Sequence, residues 1–127
     1  MSEIQNSKQG SVKQYDLEER CLRFAKAVRN FVNKLPKNTN NLEDGKQLVR
    51  SSGSVGANYI EANESLSKKD FLMRVKISRK EAKETIYWLN LIDVNNDKTL
   101  EAELLNLGQE CNELKLILSS IIQKTEN

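Results

Sequence analysis

The sequence predicts an all-α protein, an antiparallel up-down-up-down four-helix bundle. Three observations predict it: apolar residues recur at helical spacing through four stretches, no stretch alternates as a strand would, and short polar turns join the four. The 127 residues suggest one domain, and 38% apolar with 30% charged residues is the balance of a globular chain.

Leu17, Cys21, Phe24, Ala25, Val28, Val32 and Leu35 mark the first helix, with Phe31 beside them. Asp16 with Glu19 reads as its capping box and Pro36 as its stop. Residues 1–14 are expected to be disordered, which leaves 15–125 as the bundle domain. After a polar turn at 37–41, Asn40 with Glu43 offers a second box, opening a helix to about Glu64. Ser67 with Asp70 opens a third, to about Asp93, and the turn DVNND follows. Leu104, Leu107, Cys111, Leu114, Leu118 and Ile121 set the fourth, about 98–124.

The second helix contains SSGSVGANYIEANE at 51–64, rich in poor helix formers. Leu42, Val49, Ser52, Gly56, Tyr59, Ile60 and Asn63 gather on one side of its wheel, with Gly53 and Val55 at the edges. Small groups there let a neighbouring backbone come close, which must offset about 1 kcal/mol for each helical glycine. The other side carries a polar stripe of Arg50, Ser54, Asn58 and Glu61. Periodicity alone makes that stripe a solvated face.

The third helix has three faces. Phe71, Val75, Ser78, Ala82, Thr85, Leu89 and Ile92 form a heptad seam for the core. Met73, Ile77, Trp88 and Leu91 form a second apolar strip with Glu84 in its middle, either packed on another helix of the same chain or a subunit interface. Lys69, Lys76, Lys80 and Lys83, flanked by Arg79 and Tyr87, form a basic ridge. Lysines and arginines on one helix can neutralise phosphates, and an exposed tyrosine can stack on an unpaired base.

Net charge is only +2, but residues 46–83 hold nine Lys/Arg against four Asp/Glu, and residues 84–127 hold three against eight. Such asymmetry fits an anionic partner, charge-matched self-association or ordinary solvated faces. The chain has no His, which excludes Ser-His and Cys-His nucleophilic pairs and Glu-x-x-His di-iron sites. Cys21 and Cys111 lie on apolar stripes and read as small core hydrophobes. Glu61/Glu64, Glu81/Glu84 and Glu110/Glu113 are carboxylate pairs at i, i+3, a common pattern on solvated helices. A non-enzyme without cofactor or metal is expected. No apolar run approaches the ~20 residues of a membrane span, and the first residues lack the apolar core of an export signal, so the expectation is a cytoplasmic protein with reduced thiols and no membrane partner.

LVRSSGSVGANYIEA, SKKDF and KEAKETIYWLNL, in that order over residues 46–92, resemble the small bacterial four-helix bundle family of 23S rRNA intervening-sequence proteins. That family is related to the accessory variability proteins of diversity-generating retroelements. Its pattern includes Arg50, Ser51, Ser54, Asn58, Glu61, Phe71, Glu84 and the Tyr87-Trp88-Leu89 run, while Ala62 stands where the family usually has Gly. The resemblance implies a ring-like homopentamer. For the retroelement relatives it also implies nucleic-acid binding and partnership with a reverse transcriptase; for the intervening-sequence members it implies no established activity. It turns the polar stripe from a wet surface into an expected subunit contact, formed by Arg50, Ser54, Asn58 and Glu61 with Met73, Ile77, Glu84, Trp88 and Leu91. Two functional classes follow: an oligomer that binds RNA or DNA through repeated basic ridges, and an oligomeric adaptor for a protein partner.

Overall fold

The computed structural model describes the backbone of residues 9–127 and the side chains of 17–127. Four helices, α1 (Gln9–Asn33), α2 (Thr39–Asn63), α3 (Lys68–Leu91) and α4 (Lys98–Glu126), form the predicted bundle. Each packs beside the next in sequence and α4 closes on α1; α2 and α3 lie most intimately together, α1 and α4 least.

The helix ends follow local hydrogen bonding. Ser67 and Asp97 cap α3 and α4, accepting from the backbone N–H of Asp70 at 3.1 Å and of Leu100 at 3.0 Å. The cap of α2 is Asn38 rather than the expected Asn40; its side chain accepts from the Asn41 N–H at 2.8 Å. The α1 helix starts at Gln9, ahead of the expected Asp16–Glu19 box. Within a continuous helix the preceding turn already engages the backbone N–H groups, so a box there has nothing to cap. Residues 1–8 of the segment expected to be disordered lie outside the described residues. The turn after α3 places Asn95 and Asn96 at φ 54° and 63°, left-handed positions that asparagine tolerates.

The core matches the predicted seams closely on α1, α3 and α4. Leu17, Cys21, Phe24, Val28, Phe31 and Leu35 are buried, as are Val75, Ser78, Ala82, Thr85, Leu89 and Ile92, with Phe71 half-buried. On α4 the last core residue is Ile122, with Ile121 beside it half-buried. On α2 the predicted face is rotated: Leu42 and Ile60 are exposed, whereas Leu48, Ser51 and Ala62 are buried beside Val55 and Tyr59. The α2 helix touches α1 on one side and α3 on the other, and its buried arc includes Gly45 and Ser51, small residues that give an apolar wheel no signal.

That double contact explains the small residues. A Cβ at Gly56 would sit 3.0 Å from Cys21 Cβ, and one at Gly45 would sit 3.2 Å from Val32 Cγ1, so both glycines admit α1. Toward α3 the contact is made by hydroxyls. Ser78 Oγ donates to the Val55 carbonyl at 2.6 Å. Thr85 Oγ1 shares a 2.9 Å hydrogen bond with Ser51 Oγ and bonds the Glu81 carbonyl at 2.8 Å. Every buried polar side-chain atom among the described residues has a partner, as a packed interior requires. Ala62 is an ordinary helical residue, and its carbonyl accepts from the Ser65 N–H at 3.0 Å in the closing turn of α2.

At the α1–α2 turn, the amide of Asn41 ties two loops together. Its Nδ2 donates to the carbonyls of Pro36 (3.0 Å) and Asp93 (2.8 Å), and its Oδ1 accepts from the Asp93 N–H at 3.1 Å. Asn41→Leu keeps the volume but strands these buried backbone groups, which should cost about 2–3 kcal/mol. Gly56→Leu should cost about 1–3 kcal/mol by overpacking against Cys21. Gly108→Ala, where an added Cβ meets nothing within 4 Å, should instead stabilise by about 0.5–1 kcal/mol. Urea unfolding followed by circular dichroism checks all three.

Candidate functional site

The two outward faces predicted for α3 lie on opposite flanks of that helix. One flank borders α2, the other borders α4.

On the α2 flank, Arg50 reaches across to α3. Its Nη1 donates to Glu81 Oε1 at 3.2 Å, its Nη2 donates to Glu84 Oε2, and its Nε donates to Gln47 Oε1 at 3.1 Å. Trp88 Nε1 donates to the same Glu84 oxygen at 3.0 Å. Ser54 and Asn58 bond back along α2, to the carbonyls of Arg50 and Ser54, both at 2.9 Å. Glu61 faces Arg74 at 3.9 Å. The polar stripe therefore finds its partners within the chain. Met73 and Leu91 are about half exposed, and Ile77 and Trp88 are half-buried. The Trp88 hydrogen bond, followed by the Arg50 charge, holds the Glu84 carboxyl below the usual carboxylate range.

On the α4 flank, Lys76, Arg79, Lys80 and Lys83 line a shallow open groove with Lys115, Leu116 and Ser119 of α4. No Asp or Glu lines it. Arg79 Nη1 lies 3.4 Å from Ser119 Oγ, and Lys76 Nζ pairs with Glu126 Oε2 at 2.9 Å. The other four cations have no carboxylate within ion-pair distance among the described residues. Tyr87, 57% exposed one helical turn beyond Lys83, does not line the groove; its ring lies edge-to-face on Trp88 at 5.1 Å between centroids. Lys69 is exposed in the first turn of α3 and does not line the groove. The sequence reading missed Lys115, Leu116 and Ser119. Lys115 is the sole basic residue between Lys98 and Lys124, but only the α3–α4 register, shown by the Cys111 thiol donating to the Ala82 carbonyl at 3.2 Å, brings it to the ridge.

Two of the three carboxylate pairs serve as clamps. Glu81 and Glu84 hold Arg50. Glu110 and Glu113 hold Arg20: its Nε and Nη2 donate to both Glu110 oxygens at 2.7 and 2.8 Å, and Nη2 also reaches Glu113 at 2.7 Å. These bonds push the Arg20 guanidinium further toward its charged form. Both cysteines are buried and free, and burial pushes their thiols up to about 12, so neither carries a thiolate near neutral pH. Among the described residues, no group of three or more His, Cys, Asp or Glu is placed to hold a metal ion, and no helix is long and apolar enough to cross a membrane.

The family described as 23S rRNA-intervening sequence protein matches residues 13–120. A crystal structure from Bacteroides thetaiotaomicron, of a protein with unknown function from the S23 ribosomal protein family, is similar with a TM-score of 0.74 and 31% sequence identity. The match covers 87% of this chain and 98% of that one. No curated protein shows significant similarity to the chain.

A carboxylate held below its ordinary pKa by folding adds stability above its unfolded pKa, and that stability is lost as pH falls through the folded value. Glu84 should therefore stay charged to a lower pH than an ordinary glutamate and release Trp88 when it is protonated. Trp88, the single tryptophan, reports this directly. Its emission should show an acid transition in the wild type, and Glu84→Gln should remove the transition while leaving the helical circular dichroism signal in place at neutral pH.

Proposed function

We propose, for a chain that belongs to the 23S rRNA-intervening sequence protein family, a non-enzymatic, homo-oligomeric four-helix bundle that binds RNA or DNA through the groove between α3 and α4. The observation that carries the reading is the groove itself: five cations from two helices line it, with no acidic side chain among the lining residues. Lys and Arg so arranged neutralise phosphates without reading bases. Assembly and binding do not compete for surface. The apolar strip with exposed Met73 and Leu91 flanks α2, while the groove flanks α4. A subunit contact on the first leaves the second open, and each copy then adds one weak site to a multivalent surface. A pentamer is the assembly that the family resemblance favours.

In light scattering, particles several times the 14.5 kDa chain mass are the expected result; a monomer at micromolar concentration would refute the assembly. Glu84→Ala or Asn58→Ala should reduce that mass while leaving helix content unchanged. In a salt titration of oligonucleotide binding, changing Lys76, Lys80 and Lys83 together to Gln should weaken all sequences about equally. The same change should lower the slope of log K against log salt by roughly 2–3, near one unit per lost phosphate contact. No binding by the wild type at low salt would leave a protein partner, a reverse transcriptase among the candidates, as the better reading.

A further inference from the structure

Resting on the reading of the groove as a phosphate site, we infer that its ligand is a single nucleic-acid strand with unpaired bases rather than a duplex. What lies among the cations separates these ligands.

A duplex offers its phosphates outward and keeps its bases stacked inside. A surface built for it needs charge and has no use for apolar groups among the charges. Here apolar groups are present and exposed. Leu116 lines the groove between Lys115 and Ser119 and is 56% exposed. Tyr87 stands 57% exposed on the line of Lys76, Lys80 and Lys83, at seven and four residues beyond the last two. An exposed apolar side chain among the cations and an aromatic ring at the end of their line are what a strand with unpaired bases requires: the phosphates meet the cations and a base at the groove's end meets the ring.

The track is also short. Lys76 to Lys83 spans seven residues, about 10 Å along the helix axis. That length suits two or three consecutive phosphates of one strand. Lys115 and Ser119 on α4 form the facing wall, so the backbone lies between two helices with its bases turned toward Leu116 and Tyr87. The ring of Tyr87 rests edge-on against Trp88, which limits the rotamer freedom lost when a base stacks on it. Ser119 Oγ meets Arg79 Nη1 at 3.4 Å, which steadies the guanidinium on the groove wall.

The test is fluorescence anisotropy at low salt, with labelled oligo-dT, oligo-U and a blunt DNA duplex of equal length. Polyglutamate of matched charge serves as competitor. The single strands should bind at least about fivefold more tightly than the duplex, the low end of what one stacked base contributes. Tyr87→Ala and Leu116→Ser should each remove most of that preference while leaving duplex binding nearly unchanged. Lys115→Gln should weaken both ligands, and Lys26→Gln, on α1, neither. Circular dichroism of each variant verifies that the fold is intact. Oligo-U against oligo-dT separates an RNA preference from a general single-strand site. Equal binding of strand and duplex, with no effect of Tyr87→Ala, would overturn this inference and leave the phosphate groove standing. Displacement by polyglutamate as effective as by unlabelled oligo-dT would overturn it in favour of an acidic protein segment. No binding of any oligonucleotide would remove the groove function as a whole.

Discussion

The structure depends on how closely α2 approaches its two neighbours. Gly56 leaves room for Cys21 on one side, and Ser78 places a hydroxyl on the Val55 carbonyl at 2.6 Å on the other. Close backbones gain dispersion contacts along the whole interface but leave no room for large side chains there. Leu48, Tyr59 and Leu89 fill the core beside these small groups, while Ile60, Met73 and Leu91 lie at the edges, about half exposed, and give the bundle an apolar flank on its outside. The hydroxyls in the interface must be satisfied where they sit, and Ser51, Ser78 and Thr85 all are. Their geometry fixes the relative height of the two helices, because an unmade bond between buried polar groups costs more than a made one contributes.

Between α1 and α4, charge sets the register. The α1–α4 contact is the loosest of the four and is bridged by Arg20 to Glu110 and Glu113, and by Lys34 to Glu103 at 2.6 Å. Arg20 and Glu110 are each about one-third exposed, so their attraction is screened and its net contribution modest. The two-pronged geometry specifies position more than it adds energy. The same device recurs between α2 and α3, where Glu81 and Glu84 close on Arg50. Carboxylates three residues apart on one helix present two acceptors to one guanidinium, which explains the pairs without a metal.

Much of this was legible in the sequence and some was not, for identifiable reasons. The α3 seam from Val75 to Ile92 is buried as its heptads predict. On α2 the buried arc includes Gly45 and Ser51, which add nothing to an apolar pattern, and the wheel misplaced Leu42 and Ile60. The Ser67 cap was readable because nothing competes for the Asp70 N–H. The Asp16–Glu19 box was misleading because the helix runs through it. The cations on α3 were visible as one line of sequence. The α4 half of the groove was invisible, since Lys115 reaches that line only through the antiparallel register. Asn41 looked like turn material; its bonds to Asp93 join segments 52 residues apart.

The register also resolves the uneven charge of the chain. Residues 84–127 carry eight acidic residues against three basic ones, and α4 packs directly on the basic ridge of α3, so by net charge alone the two would cancel. They do not, because the acids of α4 face elsewhere. Glu103, Glu110 and Glu113 turn toward α1 and pair with Lys34 and Arg20, and Glu101 pairs with Lys98 on its own helix. The side of α4 that borders the ridge carries Lys115, Leu116 and Ser119. Only Glu126, near the end of the helix, reaches a ridge cation, Lys76. One acidic helix thus pairs with Arg20 and Lys34 on its α1 side while adding a lysine to the cations of α3. Net charge per segment, the quantity a sequence displays, averages over these two faces. The potential that a polyanion meets is set by one face alone, and beside α3 that face is cationic.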